Sequence, residues 1–262
     1  MEFAQVSSPA LPAPVHYGLA LVFTGILALV LQRAERNVER FVIVALWLRY
    51  MMAAFPAITY KPVAAGLSLN ALGSVAIIAA GMLLIDLRRL GWAVFLLIYM
   101  LFAIIVVSAL LNGMPFAAVN SLLKWLYLLV VVLTFLHAME GRAPGRFLVL
   151  LASTFIPPLG YQLASIAFGV AKASESDGSA SYIGGYNHEA AFSVILLTFV
   201  FVISIAGSMR NWTRTGAIML GVFGILIANY RTTLLAAAPI AANFLVTRTS
   251  RGFVPRQRPL IF

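Results

Sequence analysis

Cysteine is absent from the 262 residues, which removes a disulfide framework, a thiolate nucleophile and any cysteine-ligated metal. Acids are nearly as scarce, with eight Asp and Glu against eighteen Lys and Arg, a net charge of +10. Charged residues of both signs reach only 10%, far below the roughly 25% of soluble domains. No G-x-x-x-x-G-K-S/T loop is present to cradle a nucleotide phosphate. H-E-x-x-H is also missing, and His16, His137 and His188 fall on separate segments, so no metal or other cofactor is expected. Residues 1–13, MEFAQVSSPALPA, lack the Lys or Arg of a signal-peptide n-region, so the first apolar run is expected to stay in the protein.

What fills the chain instead is hydrocarbon: 62% hydrophobic residues and a mean hydropathy of +0.99. This composition predicts an all-α, polytopic membrane protein forming one transmembrane domain over 1–262. A window of about 20 residues gives spans at 17–32, 41–60, 63–85, 90–111, 115–137, 147–171, 188–208, 214–229 and 232–247. Cations sort along them. One set of connections holds Arg33, Arg36, Arg40, Arg88, Arg89, Arg142, Arg146, Arg210, Arg214, Arg248, Arg251, Arg256 and Arg258, which is 13 of the 18. The positive-inside rule then puts the N-terminus outside and residues 248–262 inside as a basic cytoplasmic tail, over nine spans. In a soluble chain +10 would suggest nucleic acid; here topology accounts for the charge, and no nucleic acid is expected.

The stretch GVFGILIANYRTTLLAAAPIAANFLV, 221–246, carries Arg231 inside an apolar run. A guanidinium at membrane depth costs roughly 2.5 to 3.5 kcal/mol on insertion scales, which marks it as functional or as an interfacial anchor. One helix over 214–247 would be about 50 Å long at 1.5 Å per residue and would reverse the tail, so two short spans meeting at NYRTT are predicted, with Arg231 recessed between them.

The longest external connection, 172–187, ends in a cluster: Tyr182, Gly184, Gly185, Tyr186, Asn187, His188 and Glu189 at the start of the seventh span. Structurally, Asn187 would N-cap that helix, Glu189 would complement its dipole and Tyr186 would join an aromatic belt. His188 has no part in that account; an imidazole can accept a proton or donate to an anion. The acid pair Glu175 and Asp177 reads as a solvated loop. Arg49 and Lys124 fall near the middle of their spans without an internal carboxylate, and are expected to pair with Tyr50, Asn120 or Thr134, with backbone carbonyls, or with an anionic ligand.

The segments YIGGYNHEAAFSVILLTFVFVISI and GVFGILIANYRTTLLAAAPI resemble the central signature of the O-antigen ligase and polysaccharide polymerase family. Gly184, Tyr186, His188 and Ala191 match a G-x-F/Y-x-H-x-N-x-x-A pattern, and Arg231 matches the arginine of a T-x-S-R-G turn. The match covers about 181–245. Ala190, Ala228, Tyr230 and Thr232 depart from it, and Ser181 and Tyr182 stand where an arginine is common. The resemblance implies a glycosyltransferase of a bacterial inner membrane, multi-pass and metal-independent. It would take a glycan from undecaprenyl pyrophosphate at the external leaflet and pass it to a hydroxyl of an acceptor glycan, lipid A core or protein. It further implies Arg231, with Arg49 and Lys124, as diphosphate ligands, His188 as a catalytic group, and Tyr186, Tyr182, Asn187 and Glu189 as sugar contacts. Such proteins continue into a further external loop with a catalytic histidine, so the resemblance implies either the first and central part of such a protein or a degenerate, inactive relative.

A small-anion carrier of bicarbonate type would use the same buried cations, and breaks such as NYRTT or the FIPPLG kink at Pro157 and Pro158 suit carrier sites. A non-catalytic membrane scaffold is the third alternative. Orientation is testable apart from function: a tag in loop 172–187 should react with impermeant reagents from outside intact cells, and protection there reverses the topology.

Overall fold

The computed structural model describes residues 11–64, 67–85, 92–140, 145–173 and 179–250. Glu175, Asp177, Asp86, Arg88, Arg89, Arg142 and the tail arginines beyond residue 250 lie outside these. Helices dominate: α1 (Ala13–Arg33), α2 (Asn37–Ala54), α3 (Pro56–Thr59), α4 (Leu69–Met82), α5 (Trp92–Leu111), α6 (Pro115–Met139), α7 (Gly145–Ser153), α8 (Ile156–Ala167), α9 (Glu189–Ile205), α10 (Asn211–Ile227) and α11 (Arg231–Ser250). Two small antiparallel hairpins interrupt them, β1 (Pro62–Ala64) with β2 (Leu67–Ser68), and β3 (Lys172–Ala173) with β4 (Ala180–Ser181). Among the described residues, Ala13–Arg33, Ser121–Met139 and Gly145–Ala167 are long and apolar enough to cross a membrane. Large apolar side chains such as Leu83, Trp92 and Leu111 lie outward, which suits a hydrocarbon solvent rather than water.

Each predicted segment contains a helix, but several boundaries move for local reasons. The third helix begins at Leu69 rather than near 63, because Pro62–Ser68 form the β1–β2 hairpin and Ser68 Oγ then caps Ala71 N at 3.2 Å. Pro157 and Pro158 do not kink a continuous helix. The break lies at Thr154 and Phe155, and the prolines occupy the first turn of α8, where a missing N–H is harmless. Two helices end in Schellman turns on left-handed glycines: Met114 N bonds Ala109 O and Gly113 N bonds Leu110 O after α5, with Val170 N to Ser165 O and Gly169 N to Ile166 O after α8.

The chain divides into two compact units, 1–26 with 144–262, and Leu27–Ala143. In the second, α6 packs against α2, α4 and α5. Glu39 serves the start of α2, its carboxylate accepting from Glu35 N at 3.1 Å and Arg36 N at 3.3 Å, while Arg36 Nη1 donates to Ala138 O and Glu140 O at the end of α6. Gly81 lets α4 approach its neighbours: a Cβ there would overlap Val130 Cγ1 and lie 2.7 Å from Phe41 Cζ. In the first unit, Phe23 of α1 sits over Gly160, its ring 5.2 Å from that of Tyr161. α9 packs on α10 across Gly221 and Gly224, where an added Cβ would meet Val200, Phe199 and Leu196.

Gly81→Val should therefore lower the thermal unfolding midpoint of the purified protein, with an overpacking cost of about 1–3 kcal/mol. Gly18, which has open space around it, should accept alanine without loss in the same assay.

Candidate functional site

The expected NYRTT break exists, and one residue makes it. Asn229 adopts φ +55°, the left-handed conformation that asparagine tolerates after a helix end, and Asn229 N bonds Leu226 O at 3.1 Å. Arg231 is then the first residue of α11. The recess argued from short helices is not reproduced. α10 begins earlier and α11 ends later than expected, so at 1.5 Å per residue they run about 26 and 30 Å, and Arg231 is exposed at the helix start.

The end of α10 is closed by the segment following the β3–β4 hairpin. A helix leaves its last carbonyls without intrahelical donors. Here Tyr182 N donates to Ile227 O at 3.3 Å, Ser181 Oγ to Ala228 O at 3.0 Å, and Gln162 Nε2 to Gly224 O at 2.8 Å. The same Gln162 amide donates to Tyr182 O at 3.0 Å, and Asn229 Nδ2 donates to Ser179 Oγ. Gly184, at φ +63°, lies against α8 so closely that a Cβ would be 2.6 Å from the Tyr161 carbonyl carbon. One glutamine, 2% exposed, thus holds both the loop and the α10 end.

From there the chain enters α9, whose N-cap is His188 rather than the expected Asn187. The His188 side chain makes no capping hydrogen bond and is exposed. Asn187 instead offers its carbonyl to Lys172 Nζ at 2.6 Å, tying the β3 lysine to the residue before His188. α9 and α11 pack together, and Ser193 Oγ and Thr233 Oγ1 bond at 2.9 Å in their early turns. Both helices therefore begin at the same end and run parallel. His188 and Arg231 mark those two starts, where each helix presents about half a positive charge.

Other expected residues take different places. Tyr186 is 3% exposed with its ring 4.8 Å from that of Phe192, so it is a packing residue of the loop and not a platform for a sugar. Glu189, 4% exposed, is the first residue of α9, consistent with its expected match to the dipole. Tyr182 is half-buried and anchored through its backbone. Arg49 and Lys124 belong to the other unit: Arg49 bonds Asn70 Oδ1 and lies over the Tyr127 ring at 5.9 Å, partners not anticipated, and Lys124 is exposed on the surface of α6. Among the described residues no three His, Asp or Glu gather where a metal could be held.

Gln162, Ser193 and Thr233 were not singled out in the sequence, and Ser181 only as a departure from the motif. The usable signal was polarity inside an apolar run, as in YQLASIAF for Gln162. Gln162→Leu keeps the side-chain volume but removes the donor of Tyr182 O, a loss of about 1–3 kcal/mol where buried, and leaves Gly224 O with Ala228 N alone. It should lower the unfolding midpoint and speed proteolysis between Ser179 and Tyr182; unchanged cleavage would remove the pinning role. No family model matches this chain, and neither a curated protein nor a solved structure is significantly similar to it.

Proposed function

We propose that this chain is a membrane glycosyltransferase of the O-antigen ligase and polymerase type. It crosses a bacterial inner membrane nine times with its N-terminus outside, and acts on an undecaprenyl-pyrophosphate-linked glycan at the external leaflet. The single observation that carries the reading is the paired start of α9 and α11, which brings the two motif residues, His188 and Arg231, to one end of one unit. The motif resemblance supplies the reaction class.

The reaction needs negative charge stabilised at the leaving group. The acceptor hydroxyl oxygen bonds to the anomeric carbon, the bond from that carbon to the diphosphate oxygen breaks, and its electron pair leaves with the lipid diphosphate. Arg231 offers a planar fork of donors to the phosphate oxygens, and the positive ends of α9 and α11 act in the same direction. His188 is the group here that can take the hydroxyl proton. Tyr182 and Asn187 flank it as sugar contacts. Lys172, bonded to the Asn187 carbonyl, sets the position of the His188 backbone. Arg49 and Lys124 take no part in this reading.

Arg231→Ala should cause radiolabelled lipid-linked glycan to accumulate and cut transfer about 100-fold, the scale for loss of one charge-stabilising donor. Arg231→Lys should keep part of it, since it retains charge but not the fork. Wild-type transfer in Arg231→Ala ends this reading. Loss of anion flux in liposomes, with glycan transfer intact, would make the chain a carrier instead.

A further inference from the structure

In the unit that carries His188 and Arg231, charge meets apolar surface a second time, at the far end of α9 and α10. Residues 190–262 hold seven arginines and no Asp or Glu. Glu189, at the start of α9, is the acid of this unit among the described residues. The α9–α10 turn, 206–210, lies at the other end of that helix, about 26 Å away at 1.5 Å per residue. Hydrogen bonds hold the turn in place. Ser208 Oγ donates to Gly145 O at 2.7 Å, which brings the start of α7, with the exposed Arg146, beside it. Arg214 is spent inward, its guanidinium donating to Ile203 O at 3.3 Å and to Ser204 O.

Arg210 is directed elsewhere. It is exposed, with its guanidinium carbon 5.9 Å from the centroid of the exposed Trp212 ring, and tryptophan is the residue that borders a membrane at headgroup level. From Trp212 the outward face of α10 becomes apolar. Met219 and Phe223 lie exposed on it at helical spacing. Gly216 stands on the same face between Trp212 and Met219, and an added Cβ there would meet nothing within 4 Å. The face is therefore notched just below the tryptophan. From Trp212 to Phe223 it runs about 16 Å at 1.5 Å per residue, about one leaflet of a hydrocarbon core roughly 30 Å thick.

We infer that the α9–α10 turn binds an anionic phospholipid, its phosphate on Arg210 with Arg146 nearby and one acyl chain laid along α10 over Gly216. Charge selects the headgroup. Two exposed arginines on acid-free segments attract a net negative lipid, whereas a zwitterion brings an ammonium that meets no carboxylate there. Shape selects the chain: the other outward positions, Met219, Leu220, Phe223 and Leu226, carry large apolar side chains, and the glycine leaves a slot among them. The turn is preorganised, because Ser208 and Arg214 set it without the lipid, so little ordering opposes binding. The inference is independent of the glycan reading, since none of these residues belongs to the Arg231 end.

The test uses the purified full chain in phosphatidylcholine nanodiscs containing a rising fraction of phosphatidylglycerol with brominated acyl chains, which quench tryptophan on contact. The part of the quenching that disappears in Trp212→Phe reports this site. In the wild type it should saturate at a low fraction of phosphatidylglycerol, and brominated phosphatidylcholine should not reproduce it. Arg210→Gln should raise the half-saturating fraction about ten-fold, the loss of one hydrogen bond to a charge, and Arg210→Lys should recover part of it. Gly216→Leu, which fills the notch at a position with open space, should lower the quenching at saturation and leave the thermal unfolding midpoint unchanged. Equal quenching by the two lipids overturns the proposal and leaves an apolar belt. An equal loss in Arg33→Gln, an exposed arginine of the other unit, overturns it in favour of general surface charge. Displacement of the lipid by inorganic phosphate alone also overturns it, because the chain contact would then be dispensable.

Discussion

Hydrocarbon offers no hydrogen bonds, and in it an unsatisfied backbone amide or carbonyl costs several kcal/mol. That constraint explains where this chain puts its few buried polar side chains. Glu39 sits at the start of α2. Ser181 and Gln162 sit at the end of α10. Arg214, 5% exposed, donates from α10 to Ile203 O and Ser204 O at the end of α9, with its guanidinium 4.7 Å above the Phe244 ring of α11. Polar side chains inside this protein chiefly finish helices.

The same economy builds the candidate site. Because loop 179–183 supplies the donors that α10 lacks, it is fixed against the turn that launches α11. The residues after it must then enter α9 beside that launch point. His188 and Arg231 are 43 positions apart in sequence, yet they share one end because the segment just before His188 caps the helix that ends just before Arg231. A loop free of that duty would leave the imidazole with no defined relation to the guanidinium. Ser193 and Thr233 reinforce the arrangement one turn deeper, where a hydroxyl pair between helices satisfies two polar atoms at once.

Much of the helical layout was legible. Hydropathy located the apolar segments; the structure adds their punctuation, with Gly113 and Gly169 closing helices in left-handed backbone and Pro115, Pro56 and Pro157 in first turns. Misreadings came where local chemistry competes. Proline was read as a kink where it opens a helix, and Asn187 was assigned a cap that His188 occupies. The 63–69 stretch was read as span although Ser68 is the first residue able to cap. Arg214 illustrates the limit. As a sequence letter it counted as one more cytoplasmic cation, and only packing against α9 and α11 turns it into a buried cap.

The sequence by itself determined the apolar, helical character of the chain and the approximate places of its helices, because these follow from composition and hydropathy. Tertiary structure alone decided which polar groups meet: Gln162 with Tyr182 and Gly224, Ser193 with Thr233, Arg49 with Asn70. The reason is physical. A lone polar residue in an apolar helix states a need for a partner, but its identity depends on helix rotation and spacing, which are set by apolar packing summed over many side chains.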